Sequence, residues 1–215
     1  MARFLRVAAI VGAAAIVMSG CLLKDTSETW YVDASGAVNW VVQEKDVRSD
    51  ASAMADRQQE ESVYWLAVQQ QRHPIAMGLQ ELGGAKVRTA VLRGEVPYTV
   101  QTDARFSGLD EIGRRLLAAV GALGESAVTH EGQTWEWTFV ARDPQSLGAA
   151  SEPSEGVSAL VDELKSLRVV LLAGRFESAQ GFSLSNDRRI ATFDEDFAES
   201  QNEQPTVTIK LRWKN

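Results

Sequence analysis

The sequence predicts an α+β fold, with an antiparallel β-sheet built from successive hairpins and helices packed on one side. Apolar and polar residues alternate over short segments around Gly-containing turns, which is typical of β-hairpins. Longer segments with apolar residues at helical spacing follow these hairpins. The final alternating segment, Thr206–Trp213, has one apolar and one polar face, as an antiparallel strand with one buried side requires.

The strands come first as three hairpins and then as a series of single segments. Each predicted hairpin turns at a glycine: Gly36, Gly94 or Gly132. The predicted strands are 29–32, 37–44, 85–92, 96–106, 126–130, 133–142, 168–173, 182–184, 189–193 and 206–213.

Four helices are predicted between these strands. Asp50 is placed to cap a helix over 51–71, and Pro74 begins a short helix that ends at Gly83-Gly84. Ser107 and Asp110 form a capping-box pattern before the third helix. The segment 143–155 is a predicted loop, and the fourth helix follows it, with an apolar stripe at Val157, Leu160, Val161, Leu164 and Leu167.

The first 21 residues predict export. Arg3 and Arg6 precede twelve uncharged residues, 7–18, and the small residues Ser19 and Gly20 lead into Cys21, which is the pattern of a signal peptide. As a helix, twelve residues rise only about 18 Å, against roughly 30 Å of hydrocarbon in a bilayer. A permanent span is therefore not expected.

Met18-Ser19-Gly20-Cys21 resembles the lipobox of bacterial lipoproteins. The resemblance implies cleavage of residues 1–20, a diacylglycerol with palmitate-type chains on the Cys21 sulfur, and attachment to the cell envelope. In Gram-negative members Asp after the cysteine favours inner-membrane retention, so Leu22 implies the outer membrane, facing the periplasm. A signal peptide with a chance cysteine is the alternative, but Cys21 is the only cysteine and has no disulfide partner.

Charge and length limit the partners and the domain count. Removal of residues 1–20 takes away two of the 22 basic residues, leaving 20 against 29 acidic residues and a net charge of −9. Such a surface disfavours nucleic acid, and it predicts that the anchor rather than the surface holds the protein to a membrane. We expect a lipidated cysteine and polar spacer at 21–28 and one α+β domain at 29–215.

No motif in the chain indicates a catalytic, cofactor or metal site. His73 precedes a proline and His130 lies beside a turn, so both are predicted to be surface or turn residues. The acidic run 194–199 fails the EF-hand template, because its sixth position is Glu199 rather than glycine. We therefore expect no catalytic residue, cofactor or metal, although catalytic residues dispersed along the chain would leave no motif.

Six tryptophans are the compositional oddity of the chain. Trp135 and Trp137 share one face of a predicted strand, where they could line an apolar groove for a lipid or similar ligand. The alternative is a tryptophan-rich core between sheet and helices, which the sequence favours more strongly because large aromatic residues are buried on average.

Two segments resemble LppM-type bacterial lipoproteins: the hairpin Trp30–Val42, and 171–176 with the following Gly181-Phe182. The resemblance implies an anchored envelope protein without an enzymatic motif, in a fold associated with lipid binding. It carries over no functional residue.

These observations predict a non-catalytic, membrane-anchored envelope lipoprotein that binds a protein partner or an amphiphilic ligand. Two alternatives stay open. One is an envelope hydrolase with dispersed catalytic residues, which needs a cleft of perturbed titratable groups. The other is a structural subunit of a surface complex, which an exposed apolar patch would favour, whereas an enclosed apolar pocket would favour amphiphile binding.

Overall fold

The computed structural model describes residues 21–143, 160–161, 164–194, 196–197, 200 and 206–215. Within these residues the chain forms three helices and eleven strands in two sheets. The helices are α1 (Met54–Gln69), α2 (Pro74–Glu81) and α3 (Leu109–Val120). The strands are β1 (Leu22–Val32), β2 (Val38–Ser49), β3 (Ala85–Arg93), β4 (Tyr98–Phe106), β5 (Leu123–Glu131), β6 (Thr134–Arg142), β7 (Leu167–Leu171), β8 (Arg175–Gln180), β9 (Phe182–Leu184), β10 (Ile190–Phe193) and β11 (Thr206–Lys214).

The predicted α+β content is confirmed, but the prediction of a purely antiparallel sheet is wrong. The seven-stranded sheet has the order β3-β4-β2-β1-β7-β10-β9 and is mixed. Its neighbours β4 and β2, and likewise β1 and β7, are joined by connections of more than forty residues. Connections of a dozen or more residues allow parallel pairing, whereas the short turns on which the prediction rested allow only antiparallel pairing. In the four-stranded sheet, of order β5-β6-β11-β8, every neighbouring pair is antiparallel.

The chain groups into two compact units. Of the described residues, 21–28 and 40–105 belong to the first unit, and 29–39 with those from 106 onward belong to the second unit. The strands β1 and β2 contribute residues to both units, so the division does not follow a linker. Whether 29–215 folds as one domain stays a prediction.

Within the described residues, the first unit starts at Cys21. β1 starts at Leu22, so residues 22–28, predicted to be a spacer, are part of the sheet. Leu22 is partly buried and packs against the buried residues Val47, Tyr64, Val68 and Val100. The polar composition of 24–28 suggested a spacer, but an exposed strand face needs no apolar residues. α2 lies against β3, and Pro74 occupies its first turn, as predicted.

The second unit has β11 as an inner strand of the four-stranded sheet, between β6 and β8. Its inward side chains are at most 1% exposed: Val207, Ile209, Leu211 and Trp213. The predicted alternation of this strand is therefore confirmed. α3 packs so closely on β5 that a Cβ added at Gly113 would lie 2.2 Å from Ser126 Oγ.

Several local predictions need correction. β8 was not predicted, because only Phe176 and Ala179 in Arg175–Gln180 are apolar. Gly108 is the N-cap of α3, and Ser107 donates to Glu111 rather than to Asp110. The predicted loop 143–155 and Val157 lie outside the described residues, apart from Asp143. Leu160, Val161 and Leu164 are helical and buried.

Candidate functional site

Cys21, the predicted lipidation site, is exposed at the start of β1. Its backbone nitrogen donates a hydrogen bond to Asp50 Oδ1 at 2.6 Å, and the Asp50 nitrogen donates to the Cys21 oxygen at 3.0 Å. Asp50 directly follows β2, so these two bonds fix the Cys21 backbone to the sheet. The residue is thus rigidly placed yet open to solvent.

A cluster of four polar side chains lies in the interior of the first unit, and we call it the ionic cluster. Its centre is the Glu44 carboxylate on β2, whose side chain is 2% exposed. Lys24 on β1 donates to Glu44 Oε1, while His73 Nε2 lies 2.9 Å and Tyr64 Oη lies 3.1 Å from Glu44 Oε2. Glu44 therefore receives three donors, as a buried carboxylate requires.

The partners of Glu44 hold it in the charged form. Burial alone would raise the pKa of Glu44, but the hydrogen bonds and charges of His73 and Lys24 outweigh it and lower the pKa to about 2. Burial raises the pKa of Tyr64 well above its usual range, and the charge on Glu44 adds to this shift. Glu44 is thus a permanent acceptor and Tyr64 a permanent donor near neutral pH.

Two further buried acids, Glu60 and Glu61 of α1, contact the end of β2. Ser49 Oγ donates to Glu60 Oε2, and the Ser49 nitrogen donates to Glu61 Oε1 at 3.2 Å. Glu60 Oε1 and His73 Nδ1 are buried and have no hydrogen-bond partner among the described residues. α1 therefore turns acidic side chains inward, whereas its Val63 and Leu66 are about half exposed.

The ionic cluster combines chemical groups that enzymes use for proton transfer: a carboxylate, an imidazole, a phenol and an amine. A catalytic group must also reach its substrate, and the side chains of Glu44 and His73 are both 2% exposed. In this conformation the geometry serves to hold β1, β2, α1 and the start of α2 together by charge-assisted hydrogen bonds.

His73 was predicted to be a surface or turn residue, and this prediction is wrong. It is 1% exposed and packs edge-on against Tyr64, with ring centroids 5.2 Å apart. The Pro74 helix start turns it inward, because the N-cap residue His73 is extended. Period-two spacing from Val42 could have indicated that Glu44 is buried, but no pattern pairs it with a histidine 29 residues later. His130 is exposed and stacks on Trp135, with ring centroids 4.1 Å apart.

The two tryptophans predicted to line a groove have different environments. Trp137 is 1% exposed, donates from Nε1 to Ser126 Oγ at 3.0 Å, and meets Trp30 edge-on at 6.1 Å between ring centroids. Trp135 is half-buried and stacks on Trp213 at 5.9 Å. Trp137 thus belongs to the core of the second unit, and Trp135 lies at its margin.

A shallow depression lies elsewhere on the second unit. It has a volume of about 540 Å³, is widely open to solvent, and is lined by Phe176, Glu177 and three basic side chains: Arg175, Arg188 and Lys214. Neither Trp135 nor Trp137, the tryptophans predicted to line a groove, lines this depression.

The described residues contain no group of three or more His, Cys, Asp or Glu side chains placed to hold a metal ion. Asp194 of the acidic run accepts hydrogen bonds from Ser183 Oγ at 2.7 Å and from the Phe197 nitrogen at 3.2 Å. Glu195, Ala198 and Glu199 of that run lie outside the described residues. None of the described helices is both long and apolar enough to cross a bilayer.

Comparison with known proteins gives one match among solved structures. No family model and no curated protein matches the chain. The folded domain of the lipoprotein LppM from Mycobacterium tuberculosis, solved by NMR, aligns with 93% of this chain and 94% of its own length. The TM-score is 0.36 and the sequence identity is 10%.

Proposed function

We propose that this protein is a lipid-anchored lipoprotein of the bacterial cell envelope. It catalyses no reaction of its own and acts by binding a protein partner or an amphiphilic ligand. The observation that carries the anchor is Cys21 itself, the only cysteine, exposed immediately after the signal-peptide pattern and immediately before the first strand. Acyl chains on its sulfur would attach the first unit to the membrane, since two or three chains bind a bilayer firmly.

The hydrogen bond from the Cys21 nitrogen is compatible with processing. Cleavage before Cys21 leaves an amine, and N-acylation leaves an amide, and both still carry a proton that can be donated to Asp50 Oδ1. This hydrogen bond therefore does not require the residues that cleavage removes.

A non-catalytic role is supported by the burial of the titratable groups. In the ionic cluster the Glu44 carboxylate, whose pKa is strongly lowered, contacts the His73 imidazole. Both side chains are buried from solvent. A hydrolase that used these groups would require the cluster to open.

The anchor is tested by labelling cells with radioactive palmitate. We expect label on the wild-type protein and none on Cys21→Ser. Met18→Leu is the matched control, since leucine is the more usual residue at that lipobox position, and it should keep the label. Wild-type protein that carries no label would contradict the anchor.

The binding role is tested by recovering the lipidated protein from membranes in mild detergent and measuring native mass spectra. A retained lipid or protein partner of constant stoichiometry is the expected result. Turnover of generic ester or glycoside substrates, lost in Glu44→Gln, would instead favour the hydrolase.

A further inference from the structure

We propose that an exposed apolar surface of the first unit contacts the lipid bilayer beside the anchor. This apolar patch consists of Trp65, Leu66, Val91, Leu92, Val96 and Tyr98, and it gives the protein a second membrane contact besides the acyl chains. The inference rests on the proposed anchor at Cys21, and it names the surface that the anchor brings to the membrane.

Four members of the patch are unusually exposed for apolar residues, and the other two, Trp65 and Tyr98, are partly buried. Leu66 is 51% and Leu92 is 54% exposed, and Val91 and Val96 are exposed by more than two fifths. Single exposed apolar residues are common, but adjoining ones mark surfaces that bind a membrane or a partner.

The patch joins α1 to the β3–β4 turn. The rings of Trp65 and Tyr98 stack with centroids 4.9 Å apart and planes 15° apart. A Cβ added at Gly94 would lie 3.6 Å from the Trp65 ring and 3.7 Å from Val91 Cγ1. The Trp65 ring thus lies beside both Tyr98 and the tip of the turn, and Leu92 and Val96 flank that tip in sequence.

The patch lies close to the anchor residue. Leu22 and Tyr98 both pack against the same small group of buried side chains, formed by Val47, Tyr64, Val68 and Val100. Leu22 is bonded directly to Cys21, and each extended residue spans at most about 3.6 Å. Because β1 starts at Leu22 and Asp50 fixes Cys21, no flexible linker can lift this end of the unit away from the bilayer.

The chemistry of the patch fits a lipid surface. Tryptophan and tyrosine are enriched where a protein meets the boundary between headgroups and acyl chains. The exposed charges on β3 and its turn are Lys86, Arg88, Arg93 and Glu95, and Arg88 is paired with Asp103 of β4. These five residues carry three basic and two acidic groups, so the side of the patch formed by β3 and its turn does not repel anionic headgroups as the whole chain would. The net charge of −9 on the mature chain led to the prediction that the anchor alone holds the protein to a membrane. The charged residues around the patch do not share this acidic excess.

Anchoring also removes the main cost of a weak surface contact. A free domain must give up translational and rotational freedom to bind, whereas a domain already attached at Cys21 binds as an intramolecular event at high effective concentration. A few half-exposed apolar side chains then suffice to orient the first unit.

The test uses the lone thiol as an attachment point. The mature chain, beginning at Cys21, is coupled through that thiol to maleimide-phosphatidylethanolamine in vesicles of phosphatidylcholine and phosphatidylglycerol. Part of the phosphatidylcholine carries bromine at acyl carbons 6 and 7, which quenches tryptophan fluorescence only at short range. Coupling replaces the natural acyl chains, so the patch is measured even if palmitate labelling has contradicted the anchor.

We expect bromolipid to quench the wild-type protein, and we expect Trp65→Phe to lose most of that quenching. Trp135→Phe is the matched control, a half-buried tryptophan of the second unit, and it should keep the quenching. Leu92→Asp with Val96→Asp should reduce the quenching while leaving the circular dichroism spectrum unchanged, since both residues are exposed.

Three results would overturn the proposal. One is a wild-type protein that bromolipid does not quench, and another is equal quenching of Trp65→Phe and wild type. The third is a dimer, seen by sedimentation, that Leu92→Asp dissociates while bromolipid quenches neither form, because the patch would then bind a second copy of the chain.

Discussion

The second unit fills its core with aromatic side chains, whereas the first unit keeps charged side chains in its interior. Trp30, Trp137 and Trp213 are each 1% exposed and belong to the second unit. In the first unit Glu44, Glu60 and His73 are buried to a similar degree, while apolar residues of α1 and the β3–β4 turn face solvent. The interior of the second unit is thus built on apolar burial, whereas the first unit adds a buried network of paired charges to its apolar core.

This difference has consequences for stability. Apolar burial does not depend on pH, and its loss scales with the volume removed. A buried charge network depends on the protonation of every member, and removing one partner leaves the others without compensation. Substitutions and pH should therefore affect the two units in different ways.

The largest effect is expected from deleting residues 206–215. This removes β11 from between β6 and β8, together with four buried side chains that each contribute roughly 1.5–3 kcal/mol. The total is comparable to a domain stability of about 5–15 kcal/mol. We expect the second unit to lose its cooperative thermal transition in calorimetry, and an unchanged transition would show that β11 is dispensable.

Trp137→Ala should have the next largest effect, about 3–5 kcal/mol in urea denaturation, because it leaves a cavity in a closed core and frees the Ser126 hydroxyl. Trp65→Ala is the matched control in the first unit. Trp65 is only partly buried, so the same substitution should cost clearly less. Equal losses would contradict the assignment of Trp137 to the core and Trp65 to the surface.

Glu44→Gln should cost about 3 kcal/mol at neutral pH and should change the response to acid. The pKa of Glu44 is about 2 in the folded protein and 4.5 in the unfolded reference, so its charge stabilises the fold above pH 4.5. That contribution, also about 3 kcal/mol, is lost as pH falls from 4.5 towards 2.

The measurement is the urea midpoint of the first unit at pH 6 and at pH 3, in wild type and in Glu44→Gln. Wild type should lose more stability between the two pH values than the variant does. The same loss in both proteins would show that Glu44 does not carry the acid sensitivity.

The sequence predicted the parts of the fold that depend on local patterns. The alternation of Thr206–Trp213, the turn at Asp33–Gly36 and the Pro74 helix start are all present, because strand period, turn chemistry and proline geometry act over a few residues. The mixed sheet was not predictable in the same way, since the direction of pairing between distant strands depends on their connections.

The candidate sites also differ in whether a local sequence pattern predicts them. Cys21 follows from a contiguous pattern, and so does the Trp135–Trp137 spacing, although spacing alone does not distinguish a groove from a core. The ionic cluster joins residues from 24 to 73 that no periodicity connects. Period-two spacing from Val42 places Glu44 on the buried face of β2, but no sequence pattern identifies its partners. The sequence of the β3–β4 turn is that of an ordinary hairpin. Only the fold shows that Trp65 of α1 lies beside its exposed apolar residues.

Glu111→Gln should have a small effect and gives the exposed counterpart of the Glu44 experiment. Glu111 accepts from the Ser107 nitrogen at 2.9 Å and from Ser107 Oγ at 2.7 Å, and these bonds lower its pKa. Both residues are accessible to water, so the same Glu→Gln change should cost only about 0.5–1 kcal/mol. Asp110→Asn should cost still less, because Ser107 bonds to Glu111, and urea denaturation of both variants measures the difference. A larger loss of stability for Asp110→Asn than for Glu111→Gln would show that Asp110 is the capping acid. If Glu111→Gln lost as much stability as Glu44→Gln, burial would not set the strength of these carboxylate contacts.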